Sequence, residues 1–129
     1  MASRMRKPDP EGPRVLLAGD AADLPAMRQR LGECDPRTAG IVFVEVLSPL
    51  QIVRLDGPAG VAVHWLFRER RRGPIALRGE VLVGAVDAWL DEWMRADGGT
   101  RIEIWLGART SSIVNAYARD LEHELAATS

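Results

Sequence analysis

Leu16–Met27 reads LLAGDAADLPAM, and the fold follows from it. With Val15 in front, the four apolar residues Val15-Leu16-Leu17-Ala18 leave neither face of a strand for water. That predicts a strand over roughly 14–18, buried on both sides. Gly19-Asp20 turns the chain, and a helix follows from about 21–24 to 33. Leu24, Met27 and Leu31 recur at i, i+3 and i+7 as its buried stripe. Asp20 or Asp23 can cap it, and Pro25 fits the first turn, where no N–H is needed. Strand, tight turn and helix N-terminus form the unit that α/β proteins use to hold phosphates. The dinucleotide fingerprint G-x-G-x-x-G is absent here. The small residues Ala18, Gly19, Ala21 and Ala22 let a pyrophosphate approach, whereas Asp20 and Asp23 put carboxylates where an anion would sit. An ordinary capped turn explains the same residues.

Downstream of this turn the same alternation continues. Ile41–Leu47 is β-branched and almost wholly apolar, as a central parallel strand should be. Residues 48–60, with Pro49, Gly57, Pro58 and Gly60, read as loop, with Gln51–Arg54 as a short extended piece. Val61–Phe67 is a third strand, Val63 and Trp65 on one face and His64 and Leu66 on the other. The basic loop 68–74 follows it. A second helix spans about 79–96 on the stripe Leu82, Val86, Trp89, Leu90 and Trp93, and Gly98-Gly99 ends it. Arg101–Leu106 is the fourth strand. Gly107–Thr110 turns into a third helix over about 110–126, with Thr110 as N-cap and Ile113, Tyr117, Leu121 and Leu125 buried. The pattern predicts an α/β domain: a Rossmann-like three-layer αβα sandwich on a mostly parallel sheet of about four to five strands. Residues 1–13 hold three Pro and little apolar content and read as a flexible tail or linker remnant, leaving 14–129 as the domain.

Composition narrows the function classes. The 129 residues are 47% hydrophobic and 27% charged, the balance of one soluble globular domain. A formal net charge of −1 exerts no overall pull on nucleic acid or anionic membrane. Of the 17 basic residues all but Lys7 are Arg, so any local anion site is Arg-built. Arg68, Arg70, Arg71 and Arg72 carry no interleaved aromatics, which leaves bases no stacking platform. The one cysteine, Cys34, has no partner for a disulfide or a metal site, so a cytoplasmic setting is expected. No apolar run is long enough for a signal peptide or a membrane span.

In a sheet of this kind ligands sit beyond the C-terminal strand ends, where strand order reverses. Three turns converge there, at 19–23, 68–73 and 107–110. Arg68 and its neighbours can clamp a phosphate in bidentate fashion or form a solvated charge run. Residues 107–112 can offer N–H groups to an anion or simply start a capped helix. Glu45 stands nearest the position where a Rossmann domain holds a ribose hydroxyl, and equally suits a pairing with a neighbouring Arg. His64, mid-strand, reads as a packed core residue and His123 as exposed. Asp87, Asp91 and Glu92 read as the solvent face of the second helix. Ser111, Ser112 and the two histidines form no nucleophilic triad in this layout. No catalytic constellation is expected.

With the turns placed, the chain resembles the C-terminal domain of siderophore-interacting proteins, flavin-dependent ferric-siderophore reductases of the ferredoxin-reductase superfamily. Leu17-Ala18-Gly19-Asp20 and Leu24-Pro25-Ala26 match the family's L-A-G-D-E-T-A-L-P-A. Val44-Glu45-Val46 matches its V-E-V strand, Trp65-Leu66-Phe67-Arg68 its W-L-x-R, and Ile104-Trp105-Leu106-Gly107 the start of its V-W-V-A-G-E. The resemblance covers about residues 14–127. It implies a fold like the NAD(P)-binding half of ferredoxin reductases, with NADPH or NADH presented to a flavin on a separate upstream barrel. Carried over, Gly19, Asp20, Ala21 and Ala22 line the pyrophosphate site. Arg68 lies near the adenosine phosphate, and Gly107, Ala108, Arg109 and Thr110 stand at the nicotinamide end.

Departures qualify what the resemblance implies. The family's Thr is Ala22 here, its acidic residue after A-G is Arg109, and the flavin barrel and the final strand are lacking. FAD is therefore not expected in this chain alone, nor self-sufficient reductase activity. A flavin-domain protein is expected as partner in trans. The strand order 3-2-1-4-5 without its fifth strand leaves strand four as an edge, which predicts a homodimer or coverage by the N-terminal tail. The alternative is a non-catalytic interaction or regulatory module that kept the fold and lost the cofactor. Glu45 favours a ribose diol and Arg68 a 2′-phosphate, so NADH and NADPH stay open.

Overall fold

Alternating apolar faces on the strands build a three-layer sandwich in the computed structural model, which describes residues 12–95 and 101–128. The elements are β1 (Arg14–Asp20), α1 (Leu24–Gly32), β2 (Ala39–Val46), β3 (Gly60–Phe67), α2 (Glu80–Leu90), β4 (Glu103–Leu106) and α3 (Ser112–Thr128). The four strands pair in parallel in the order β3-β2-β1-β4, the order expected. The register sets Leu16 beside Ile41 and Ile104, and Asp20 beside Glu45.

Side chains alternate between faces along each strand. Leu16, Ala18, Ile41 and Phe43 meet Leu82, Val86 and Leu90 of α2 and Val114 and Leu121 of α3. Leu17, Val42, Val44 and Val46 meet Met27 and Leu31 of α1 on the other face. That second face has one helix only. A helix-less crossover from β2 to β3 covers the remainder: Leu55 joins the α1 core, and the Arg54 carbonyl accepts from Arg28 Nη2 at 3.0 Å. Of the extended piece expected at Gln51–Arg54, Ile52 has extended backbone but joins no strand, and Gln51 is not part of it. Pro49–Gln51 is instead one 3-10 turn, begun by Pro49 and capped when Ser48 Oγ accepts from Leu50 N.

The helices differ from expectation in two places. α2 passes at Asp91 into a π-helical turn, Asp91–Arg95. The wider turn rotates Trp93 out of the buried stripe, and it stacks on Trp89 with centroids 6.1 Å apart, 42% exposed. Arg95 holds this turn. It bonds Asp87 and Asp91 on the same stretch and Glu124 of α3, while Tyr117 donates to Asp87. Asp87 therefore belongs to a network between helices, while Asp91 and Glu92 are exposed as expected, Asp91 paired with Arg95 along its own helix. The Gly98-Gly99 stop lies outside the described residues.

In α3 the buried residues are Val114, Ala118 and Leu121, with Ile113 only half-buried and Tyr117 and Leu125 at the margin of the core. The cap is Ser111, whose Oγ accepts from Val114 N, and not Thr110. The helix starts later than expected, and its buried row lies one residue round from Ile113 and Tyr117. His64 is exposed on edge strand β3, touching the Phe43 ring edge-on at 5.9 Å, instead of being packed in the core. His123 is exposed, as expected. β4 ends the sheet, its far edge unpaired among the described residues. Its side chains are nonetheless used: Ile104 packs under α2 and α3, and Trp105 lies under the Arg30 guanidinium at 5.0 Å. Most of the 1–13 tail is outside the described residues. Pro13 is not, and its carbonyl accepts from Ala39 N.

Candidate functional site

β1, β2 and β3 all run toward one rim, and their last residues form its floor. Asp20 ends β1. Its Oδ1 accepts from Ala22 N at 3.1 Å, capping the short 3-10 turn Ala21–Asp23, and its Oδ2 receives Arg78 Nε and Nη2 at 2.9 and 2.7 Å. Arg78 also donates from Nη1 to Thr110 Oγ1 at 2.6 Å. One guanidinium thus ties the turn after β1 to the turn after β4.

Asp23 makes a second tie. Its Oδ2 accepts from Asp20 N at 2.9 Å and from Ala108 N at 2.8 Å. Ala108 reaches this position with φ +55°, in the left-handed region. The carboxylate sits so close that Gly19 and Gly107 have no room for a side chain: a Cβ would stand 2.6 and 2.5 Å from Oδ2. Burial pushes the Asp23 carboxyl above the ordinary carboxylate range, and the nearby Asp20 charge adds to the rise against the backbone N–H bond from Asp20.

Glu45 is the next-to-last residue of β2, side by side with Asp20, and only 2% of it is exposed. Its Oε1 accepts from Gly79 N at 2.7 Å and its Oε2 from Leu82 N at 2.8 Å. Gly79 precedes α2 with φ +92° and has no side chain with which to cap it. A strand carboxylate therefore satisfies the helix N-terminus, where negative charge is favoured. Among the described residues Glu45 pairs with no Arg, and both of its oxygens are engaged by backbone.

Arg68 follows β3. Its Nε donates to the Ala76 carbonyl at 3.1 Å, which orients the guanidinium. Its two terminal nitrogens bond no other described residue. A cleft of about 410 Å³ opens between Arg68 and Arg78, with Asp20, Ala21, Ala22 and Glu45 along one side and Val46, Leu47 and Gln51 along the other. Of the rest of the basic loop, Arg70 pairs with Glu80 at 3.6 Å, and Arg71 and Arg72 are exposed.

Asp20, Ala21, Ala22 and Arg68 thus meet at the cleft. Gly19, Gly107 and Ala108 pack around the Asp23 carboxylate, and Thr110 serves Arg78. Arg109 turns along α3, donating from Nε to Asn115 Oδ1 at 3.0 Å and pairing with Glu122 at 3.6 Å. Sequence reasoning missed Arg78 and Gln51. An Arg just before Gly79 at the predicted start of a helix on this rim was the signal for Arg78; nothing local marked Gln51. The Arg68 guanidinium, with its Nε fixed by a carbonyl and its terminal nitrogens unengaged among the described residues, suits a phosphate, while Arg78 across the cleft is paired with Asp20 and Thr110. Of the N–H groups in the β1 and β4 turns, those of Asp20 and Ala108 are already held by Asp23 and that of Ala22 by Asp20. Among the described residues no group of three or more His, Cys, Asp or Glu is placed to hold a metal. No helix among them is long and apolar enough to cross a membrane.

Comparison with known proteins bears on the same architecture. The family model for siderophore-interacting proteins matches residues 12–127. Uncharacterised proteins of Mycobacterium bovis and Mycobacterium tuberculosis are 38% identical over 64 residues, covering 50% of this chain and 23% of theirs. The crystal structure of a siderophore utilization protein from T. fusca superposes with a TM-score of 0.56 at 26% identity, covering 90% of this chain and 40% of that one. The chain therefore spans well under half the length of these relatives. With the parallel sheet in the expected order and the match running nearly end to end, the chain belongs to the siderophore-interacting protein family.

Proposed function

We propose that this domain binds the adenosine end of NADPH in the cleft between Arg68 and Arg78, acting with a flavoprotein partner in ferric-siderophore reduction or related redox chemistry. The observation that carries the reading is the Arg68 guanidinium, oriented by the Ala76 carbonyl and with its terminal nitrogens bonded to no described residue. Glu45 weighs for NADPH over NADH. Its oxygens are engaged by Gly79 and Leu82, which removes the cue for a free ribose diol, while Arg68 retains its attraction for a 2′-phosphate. The bound nucleotide would supply a hydride, and an acceptor has to come from the partner. Leu47, Leu50, Ile52 and Leu77 lie exposed on the segments flanking the cleft, apolar surface that a partner domain would cover.

Calorimetric titration tests this. NADPH and 2′-AMP are expected to bind more tightly than NADH and 5′-AMP, and Arg68→Ala to weaken NADPH by about tenfold, the loss of one bidentate contact. Absence of binding at millimolar nucleotide would leave the second reading, a non-catalytic interaction module. One observation favours that reading: Asp20 and Asp23 already engage Arg78 and the N–H groups of Asp20, Ala22 and Ala108. NADPH oxidation without added flavoprotein would contradict the need for a partner. The edge of β4, unpaired among the described residues, supports self-association as a further part of the proposal.

A further inference from the structure

We propose that Asp23 is a built-in occupant of an anion cradle and so decides how this rim holds phosphate: a phosphate monoester such as the 2′-phosphate binds beside Arg68, and no pyrophosphate is held by the N–H groups of Asp20 and Ala108 in the β1 and β4 turns. The inference rests on the reading of the rim as a nucleotide site. Two backbone N–H groups from the turns after β1 and β4 converge on one carboxylate oxygen, at 2.9 Å from Asp20 N and 2.8 Å from Ala108 N. Those are the distances and directions with which backbone N–H groups bind a phosphate oxygen. Gly19 and Gly107 leave open the volume an anion needs, and the Asp23 carboxylate fills it, to within 2.6 and 2.5 Å of where their Cβ atoms would stand.

A tethered carboxylate competes at a high effective concentration with anything arriving from solution. It also leaves a negative charge beside Asp20, whose own carboxylate is already paired with Arg78, so an incoming pyrophosphate meets repulsion as well as a filled site. The Arg68 side of the cleft has no such occupant. The rim is thereby divided into a closed half and an open half, and Asp23 is the specificity-determining residue.

The test is amide chemical-shift titration of the full chain with inorganic pyrophosphate, followed at Asp20 and Ala108. In the native chain those two amides are expected to stay in place at millimolar pyrophosphate. In Asp23→Ala both should shift, with affinity raised about tenfold, the worth of removing one charged competitor for two N–H donors. Asp23→Asn keeps an acceptor oxygen without the charge and should fall between them, so it answers the question if the alanine variant folds poorly. Shifts at both amides in the native chain, or no gain in either variant, would overturn the proposal. The outcome is separate from the fate of the cleft reading: loss of NADPH binding in Arg68→Ala would not alter the amide response of Asp23→Ala.

Discussion

The two halves of the C-terminal rim are made from the same ingredients and finished in opposite ways. At the β1 and β4 ends every charged group is answered from within: Asp20 by Arg78, Asp23 by two N–H groups, and Arg78 again by Thr110. At the β2 and β3 ends Arg68 keeps its terminal nitrogens for something else, beside a loop whose Leu50 is 95% exposed. The closed half binds the fold together and the open half is left for a ligand. Glu45 stands on the boundary, lining the cleft but committed to α2.

The largest effect is expected at Glu45, and it tests whether that residue belongs to the closed half. Glu45→Ala leaves two buried N–H groups without acceptors, at a cost of about 1–3 kcal/mol each. For a domain of this size that lowers the melting temperature by roughly ten degrees. Thermal denaturation with and without NADPH separates the roles. A fold-holding Glu45 gives a large loss without ligand, whereas a ribose-holding one would leave the melting temperature in place and weaken only binding.

Next is Gly107→Ala, which drives a methyl into the Asp23 carboxylate and should cost about 1–3 kcal/mol. Combined with Asp23→Ala, which removes the obstacle, the loss should be less than additive by about 0.5–3 kcal/mol, as for groups in contact. Strict additivity in the double-mutant cycle would mean that the closed half is not held through Asp23. Burial raises the Asp23 carboxyl, so its native-state penalty is absent at low pH and grows as pH climbs through the raised value. Asp23→Asn should therefore be relatively more stable at neutral pH than in acid, read from denaturant midpoints at both.

How legible these halves are in the sequence depends on the span of the contacts. β1 and β2 declare themselves because burial on both faces writes an unbroken apolar run, and their parallel pairing follows from the alternation of strands and helices. Arg68 was visible because it ends an apolar strand. The ties that close the other half span 34 residues for Glu45 to Gly79, 58 for Asp20 to Arg78 and 85 for Asp23 to Ala108. No periodicity records them. The turn of α2 into a π-helix is of the same kind, since Arg95 is drawn to Glu124 on another helix as well as to Asp87 and Asp91. Val114 and Ala118 were missed for a different reason: they lie one residue round the helix from Ile113 and Tyr117, and an apolar pattern this broad does not say which of the two rows packs on the sheet.

The smallest effects are expected at the Arg95 network, and they sharpen the comparison because it lies away from the rim. Arg95→Met keeps the apolar stem and removes the charge, and for partly exposed pairs the loss should be about 1 kcal/mol or less. The hydrogen bonds from Arg95 and Tyr117 hold the Asp87 carboxyl below its usual value. Its contribution is therefore present at neutral pH and disappears as pH falls through the carboxylate range. Burial, with the bond to Asp87, pushes the Tyr117 phenol up to about 12, so its contribution persists until the solution is strongly alkaline. Arg95→Met should flatten the acid limb of the stability profile and leave NADPH affinity unchanged. A shift in affinity would mean that strain passes from the α2–α3 contact through α2 to Glu45, and that the closed half of the rim is not the rigid wall its bonds describe.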